Sequence, residues 1–123
     1  MTETREPTLR VTMLPRDTNA RGTIFGGVIL SHIDLAGAIA ASRQAPRNFV
    51  TRAMREVGFI APVYVGDVVS FYTSMVREGN TSMIVEVLVE AERSGEAGKP
   101  VRVTEAEVVY VAVDEKGSPT SIR

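Results

Sequence analysis

The sequence predicts an α+β domain in which one long central helix packs on one face of an antiparallel sheet. Residues 28–43 contain no proline and place apolar side chains at intervals of three and four, which is the spacing of one helix face. From residue 49 onward, the pattern changes to alternation over four long segments joined by short turns, which is typical of antiparallel strands. At 123 residues and 44% hydrophobic content, the chain is expected to form one domain, residues 1–123, with its own core.

Composition excludes several classes of function. With 14 basic and 15 acidic residues, the formal charge of −1 gives no overall field that would attract nucleic acid or an anionic membrane. Cysteine is absent and there is one histidine, so disulfides, thiolate metal sites and histidine-rich metal sites are excluded. No apolar run approaches the roughly eighteen residues of a membrane span, and the first residues do not resemble a signal peptide. We therefore expect a cytoplasmic protein.

The first part of the chain leads to the helix. Residues 1–8 are polar and are expected to form a loose arm, and a short strand follows at Leu9–Leu14, ended by Pro15. A loop rich in turn formers then leads to Gly26-Gly27, directly before the helical segment. The inward face of this helix is thin enough to lie close to a sheet, because it carries the small residues Ala36, Gly37, Ala38, Ala40 and Ala41.

The rest of the chain is predicted to supply the sheet. A bulge is expected in the first of its strands, near Arg52–Glu56, where charged residues interrupt the apolar pattern. The segment Asp114–Pro119 is expected to end the fold. One helix covers only one sheet face, so pairing with a second copy would complete the burial. The four predicted strands are Phe49–Ile60, Val68–Arg77, Ser82–Arg93 and Val101–Val113.

The glycine pair and Asp34 are the candidate functional groups of the helix. A helix that starts at two glycines has unobstructed N–H groups at its positive end, which attract an anion or a developing oxyanion. The alternative is that Gly26 and Gly27 only permit a tight turn into the helix. Asp34 follows Gly27 by seven residues, or about 10 Å along a helix, so one helix cannot easily bring both groups to one carbonyl. Two antiparallel copies across a twofold axis would do so, which predicts a site between subunits.

Three motifs now identify a resemblance. They are the segment Asp17–Gly27 (Asp-Thr-Asn-Ala-x-Gly-x-Ile-Phe-Gly-Gly) with Asp34 downstream, the segment Phe59–Asp67 (Phe-Ile-Ala-Pro-Val-Tyr-Val-Gly-Asp), and Gly79–Met83 (Gly-Asn-Thr-Ser-Met) opening a strand. Over roughly residues 9 to 117, the chain resembles the hot dog fold acyl-CoA thioesterases, in particular their YciA-like and cytosolic acyl-CoA hydrolase branch.

The resemblance implies the fold, the reaction and the residues that perform it. It implies a hot dog fold, with a long central helix wrapped by an antiparallel sheet, and hydrolysis of acyl-CoA to fatty acid and coenzyme A. Asp34 would activate water or attack the thioester directly. Asn19 would orient the water or the carbonyl from the opposite subunit, and the Gly26 and Gly27 amides would stabilise the oxyanion. The expected assembly is a homodimer within a hexamer, a trimer of dimers.

The resemblance also implies how coenzyme A binds. The candidate residues are Thr51, Arg52, Arg55, Arg77, Thr81 and Ser82, with Arg93, Lys99 and Arg102 as further cations, since arginine binds phosphate through a bidentate fork. No metal or dinucleotide motif is present, so no cofactor is expected beyond the substrate's own coenzyme. The residues expected to set the depth of the acyl pocket are Phe25, Ile29, Ile33, Phe59 and Tyr64.

Other functions remain open at the level of sequence. Asn19 could simply form an Asx turn, and Asp34 could pair with an arginine. A non-catalytic acyl-CoA sensor would keep the pocket, and a scaffold protein would need none. A hot dog hydratase or dehydratase would need a catalytic histidine, but His32 and Asp34 point about 200° apart on a helix and cannot form a dyad within one chain. We therefore expect His32 to be a packing residue.

Overall fold

The structure is a computed structural model that describes residues 5–96 and 98–123. All the predicted elements are present, and their ends lie within about two residues of the predicted ones. A short 3₁₀ turn at Pro15–Asp17 is added between the first strand and the helix. The elements are β1 (Leu9–Thr12), α1 (Gly26–Gln44), β2 (Asn48–Phe59), β3 (Val68–Glu78), β4 (Ser82–Glu92) and β5 (Val101–Val113).

The strands form one antiparallel sheet in the order β1-β3-β4-β5-β2. Along β4, residues alternate strictly between a buried face that lies toward α1 and a partly exposed face that carries Glu86 and Glu90. The helix buries its small and aliphatic side chains against this sheet, as the thin helix face predicted. The buried helix residues are Ile29, Ile33, Ala36, Gly37 and Ala41.

The close approach of helix and sheet is tightest at Gly37. A Cβ atom at this position would lie 2.3 Å from the Tyr110 hydroxyl of β5 and 3.0 Å from two of its ring carbons. Only glycine leaves room for the phenol beneath the helix at this point. The Tyr110 side chain is fully buried and can therefore reach the helix backbone.

Strand β2 lies at the edge of the sheet and is bulged, as predicted. Its pairing with β5 shifts register between Thr51 and Ala53 and again between Arg55 and Gly58. Glu56, in the second bulge, has a φ of 54°, a left-handed conformation that is costly for a residue with a side chain. Most of β2 is exposed, and its outer edge, twelve residues long, pairs with no other strand in the part of the chain that the structure describes.

The segment Phe59–Asp67, one of the three motifs, is fixed by a buried ion pair. The Asp67 carboxylate is 2% exposed and accepts hydrogen bonds from the Tyr64 amide at 2.9 Å and from Arg93 at 2.8 Å. Arg93 also donates to the Pro62 carbonyl at 3.0 Å. The guanidinium of Arg93 therefore helps to hold this loop, and its candidacy as a cation for coenzyme A stays a prediction.

Both ends of the described chain pack on the sheet. The expected loose arm at residues 1–8 is held at its inner part, because Arg5 pairs with Glu90 at 2.9 Å and the Thr8 amide donates to the Phe71 carbonyl. Residues 1–4 lie outside the described residues. At the other end the fold does not stop at Pro119, since the Ile122 side chain is buried and its amide donates to the Asn80 carbonyl. No helix in the described part of the chain is long and apolar enough to span a membrane.

Candidate active site

The first turn of α1 presents free amides to solvent. The helix begins at Gly26, with Phe25 as N-cap. Both glycines therefore lie inside the first turn, whereas the sequence analysis placed them directly before the helical segment. The N-cap has no side-chain hydrogen bond, and within residues 5–96 and 98–123 neither glycine amide donates to an acceptor. These two N–H groups lie at the positive end of the helix dipole, where they can bind an oxyanion.

A small cavity, lined mostly by apolar residues, adjoins Gly26. Its volume is about 290 Å³, and Thr104 of β5 is among the residues lining it, with a buried hydroxyl that has no partner within the described residues. Of the five residues expected to set the depth of an acyl pocket, Ile29 and Phe59 line this cavity. Its other lining residues are Thr23, Ile24, Gly26, Ile60, Ala61, Pro62 and Val63.

Asp34 is held by two hydroxyl groups from the sheet. Its Oδ1 accepts a hydrogen bond from the Thr51 hydroxyl at 2.6 Å and lies 3.2 Å from the Tyr110 hydroxyl. The Tyr110 hydroxyl also donates to the backbone carbonyl of Asp34 at 2.6 Å. Burial, and then the neighbouring Asp34 carboxylate, raise the pKa of Tyr110, so the phenol stays protonated and remains a donor. Within residues 5–96 and 98–123, no arginine forms an ion pair with Asp34.

Sequence reasoning missed Tyr110. The one signal in the sequence was Gly37, which lies three residues after Asp34 on the thin helix face. A glycine there indicates that a large side chain packs closely against the helix. Nothing in the sequence alone shows that the approaching group comes from β5.

Asn19 is locked into its own loop. Its Oδ1 accepts from the Arg21 amide at 2.8 Å and from the Thr23 amide at 3.3 Å, while Nδ2 donates to the Thr23 hydroxyl at 2.9 Å. These are the contacts of the Asx-turn alternative. A primary amide carries two N–H donors, however, so one donor of Nδ2 is left for a further partner. The loop therefore holds Asn19 rigidly without using all its hydrogen-bonding capacity.

A single chain does not bring the two halves of the predicted site together. The Asp34 half-site lies at the strand pair Thr51–Tyr110, where Thr51 holds Asp34. The Gly26 half-site lies at the strand pair Phe59–Thr104, where the Phe59 ring covers Gly26. The two pairs lie at opposite ends of β2. Along the helix, Gly26 and Asp34 are separated by about 12 Å. The amides and the carboxylate thus form two separate half-sites on each copy of the chain.

Comparison with known proteins identifies the family. Residues 21–97 match the family model of the Thioesterase superfamily. The chain belongs to the thioesterase superfamily. It is 42% identical over 116 residues to the acyl-CoA thioester hydrolase YciA of Escherichia coli K12. The aligned residues cover 93% of this chain and 88% of that protein.

Solved thioesterase structures share the fold of this chain. A hexameric hotdog fold thioesterase of Campylobacter jejuni superposes with a TM-score of 0.90 at 47% identity, covering 97% of this chain and 91% of that one. An acyl-CoA hydrolase from Staphylococcus aureus, solved with butyryl coenzyme A and with coenzyme A, superposes with a TM-score of 0.84 at 28% identity, covering 93% and 69%. The predicted hot dog fold is confirmed.

The residues that the thioesterase resemblance assigned to coenzyme A lie on β2 and around the turn from β3 to β4. Thr51 donates to Asp34 in the described structure, and its assignment to coenzyme A stays a prediction. Arg55 pairs with Glu107 at 3.2 Å on the outer face of the sheet, and Arg52 is exposed in the first bulge of β2. Arg77, Thr81 and Ser82 lie together at the turn from β3 to β4, with Ser82 paired to Val111.

Two other expectations concern His32 and metals. His32 donates from Nδ1 to the Val28 carbonyl at 2.8 Å and stacks on Phe71, with ring centroids 5.8 Å apart, which are the contacts of a packing residue. In the part of the thioesterase chain that the structure describes, no three Asp, Glu or His side chains are grouped so that they could hold a metal ion.

Proposed function

We propose that this protein hydrolyses acyl-CoA thioesters to a carboxylic acid and coenzyme A. The observation that carries the proposal is the helix α1 itself, which presents free amides at Gly26 and Gly27 and a carboxylate at Asp34. Membership of the thioesterase superfamily and the identity to YciA support the reaction. The cavity beside Gly26, at about 290 Å³, is close to the roughly 300–1,000 Å³ typical of ligand pockets, which supports binding of an acyl group there.

The complete site is proposed to form between two copies of the chain. Strand β2 has a free edge, and antiparallel pairing of two such edges about a twofold axis near residue 55 would place Thr51 of one copy level with Phe59 of the other. The Asp34 half-site of one chain would then meet the Gly26 half-site of its partner. The exposed apolar side chains Phe25, Leu35, Val50 and Phe59 would be covered in the same step.

In the proposed reaction, the thioester carbonyl is bound with its oxygen toward the Gly26 and Gly27 amides. The free N–H of Asn19 orients the attacking water or the carbonyl. Two routes are open to Asp34: it takes a proton from water as the water oxygen attacks, or it attacks the carbonyl itself and water hydrolyses the resulting anhydride. In either route the carbon–sulfur bond breaks, the coenzyme A thiolate leaves and takes up a proton, and one water is consumed.

The wider setting belongs to the same proposal. We place the dimers in a hexamer, as in the Campylobacter jejuni relative, and the enzyme in the cytoplasm, with no cofactor besides the coenzyme carried by its substrate.

The test is release of free thiol from acetyl-, butyryl- and palmitoyl-CoA by the wild type, Asp34→Asn and Glu115→Gln. We expect the wild type and Glu115→Gln, which changes an exposed carboxylate in a remote turn, to release thiol at similar rates. Asp34→Asn should be slower by roughly 10²-fold or more, the usual loss when an acid–base group is removed. If the wild type binds coenzyme A but releases no thiol, the protein is an acyl-CoA sensor and not a hydrolase. If Asp34→Asn releases thiol at the wild-type rate, Asp34 has no role in the mechanism.

A further inference from the structure

Strand β5 carries two hydroxyl groups on the side that faces the helix. From Thr104 to Tyr110 its buried residues, which include Ala106 and Val108, alternate with partly exposed ones and share the face that packs on α1. The Tyr110 hydroxyl donates to the Asp34 carbonyl. Thr104 is only 1% exposed, yet its hydroxyl has no hydrogen-bond partner within residues 5–96 and 98–123. Such a group calls for an explanation, because buried polar atoms nearly always form a hydrogen bond.

Thr104 lines the cavity that adjoins the first turn of α1. Gly26 belongs to the same lining, and the ring of Phe59, the strand partner of Thr104, packs over Gly26. The other hydroxyl in this lining is that of Thr23, which already accepts a hydrogen bond from the Asn19 side chain at 2.9 Å. Thr104 therefore brings to the cavity a hydroxyl whose whole hydrogen-bonding capacity is unused by the described residues.

The chemistry of the cavity wall limits what can bind there. Apart from the two threonines the wall is apolar, and none of the described residues that form it carries a charge. A carboxylate on the ligand would lose its hydration without meeting a cation. A plain hydrocarbon chain would leave the Thr104 hydroxyl unpaired. The wall therefore suits a chain that is mostly hydrocarbon and carries one uncharged oxygen, a hydroxyl or a keto group.

Two parts of an acyl-CoA have oxygens that could meet Thr104, the acyl chain and the pantetheine arm. The pantetheine arm continues into a charged nucleotide that has to remain in water, whereas the acyl chain ends and can be enclosed. Thr104, Ile29 and Val63 are all buried, which favours the acyl chain at this place. We infer that the cavity receives an acyl chain bearing a hydroxyl or keto oxygen near its thioester, and that Thr104 is the specificity-determining residue that binds this oxygen. The inference rests on the proposed function and adds the chemical class of its substrate.

The experiment exchanges a hydroxyl for a methyl group in the substrate and in the protein. The substrates are the two enantiomers of 3-hydroxybutyryl-CoA and their methyl analogue, 3-methylbutyryl-CoA, and thiol release gives kcat/KM for each. Thr104→Val makes the same exchange at the cavity wall. The intrinsic reactivity of each thioester is the same for every protein. It therefore cancels when the hydroxyl-to-methyl ratio of kcat/KM is compared between the wild type and a variant.

We expect this ratio to fall by roughly tenfold or more in Thr104→Val for at least one enantiomer, the scale of one hydrogen bond between uncharged groups. Thr104→Ser keeps the hydroxyl and should keep most of the wild-type ratio. Thermal unfolding without substrate gives a readout that does not depend on activity. Thr104→Val should be at least as stable as the wild type, because it removes a buried hydroxyl that the described residues leave unpaired.

The alternatives give different results. If Thr104→Val slows all three substrates equally and weakens inhibition by free coenzyme A, Thr104 binds the pantetheine arm and the inference is overturned. It is overturned as well if the ratio is unchanged for both enantiomers while Thr104→Val unfolds at a clearly lower temperature, since the hydroxyl then has a structural role. A wild type that cleaves butyryl-CoA leaves the proposed function standing in both cases. A wild type that cleaves no CoA thioester overturns the proposed function, and the inference with it.

Discussion

At the scale of single residues, the least expected feature is a fully buried phenol that donates to the backbone of the candidate catalytic residue. The Tyr110 hydroxyl donates to the Asp34 carbonyl at 2.6 Å, an oxygen that lies in the middle of α1. A buried hydroxyl without a partner costs about 1–3 kcal/mol, so this bond stabilises both the tyrosine and the position of the helix. It also ties the helix to β5 at the level where Asp34 is needed.

The environment of Tyr110 predicts an alkaline loss of stability. Burial, and then Asp34, raise its pKa above the ordinary value of 10.0. Above about pH 10 the unfolded chain loses this proton while the folded chain keeps it, so the stability that Tyr110 contributes is present below pH 10 and falls as the pH rises, by up to about 1.4 kcal/mol per pH unit. A phenylalanine at position 110 has no hydroxyl proton to lose, so it shows no such loss of stability.

The measurement is urea unfolding of the wild type and Tyr110→Phe at pH 8 and pH 10.5, at one protein concentration. At pH 8 the wild type should be more stable by about 1 kcal/mol, the usual contribution of one hydrogen bond. At pH 10.5 this advantage should shrink or reverse. A constant difference between the two proteins at both pH values would show that Tyr110 ionises normally in the fold.

At the scale of elements, the sequence predicted the helix and all five strands, because each has a period that matches its structure. It also predicted the bulge in β2, since charged residues interrupt the apolar pattern there. It did not predict which residue of the sheet meets Asp34, because that depends on the register of β2 on β5 and on how closely α1 approaches. For the same reason the hydrogen bond between Thr51 and Asp34 was not predicted.

The closeness of α1 to β5 gives the next prediction. Gly37→Ala would normally stabilise a helix by about 1 kcal/mol. Here the new Cβ would lie 2.3 Å from the Tyr110 hydroxyl, so we expect destabilisation of roughly 1–3 kcal/mol, as in other overpacked cores. Chemical denaturation of Gly37→Ala measures this loss of stability.

The control is the same substitution in the Tyr110→Phe background, where the closest clash is gone. There Gly37→Ala should cost clearly less stability, although two ring carbons remain 3.0 Å away. Equal costs in both backgrounds would mean that the clash is relieved by movement of the helix.

At the scale of the whole molecule, two independent features call for a second copy of the chain. One is the long free edge of β2, together with the exposed apolar residues Phe25, Leu35, Val50 and Phe59 around it. The other is the separation of the half-sites, which sequence reasoning anticipated from helix rise alone. The acyl chain that fits could not be anticipated in this way, because the cavity beside Gly26 is bounded on one side by Phe59, which a second copy would cover.

Complementation between inactive variants tests the composite site directly. Asn19→Ala removes the donor of one half-site and Asp34→Ala the carboxylate of the other, so each homodimer should have no intact site. A mixed dimer should have one intact site of two, because both substitutions fall together in the second. If subunits pair at random, half of the dimers are mixed, and the mixture should recover about a quarter of wild-type thiol release.

The two variants are best produced together with different affinity tags, so that mixed dimers can be isolated and their number known. Asn19→Asp serves as the control for folding of the loop, because it keeps the oxygen that the Arg21 and Thr23 amides donate to and loses only the N–H donors. It should be as inactive as Asn19→Ala and give the same recovery with Asp34→Ala. Isolated mixed dimers that remain inactive would show that Asn19 and Asp34 do not act in one site across the interface. Because of the distance between Gly26 and Asp34 along α1, the carboxylate would then have to work without the amides of a partner.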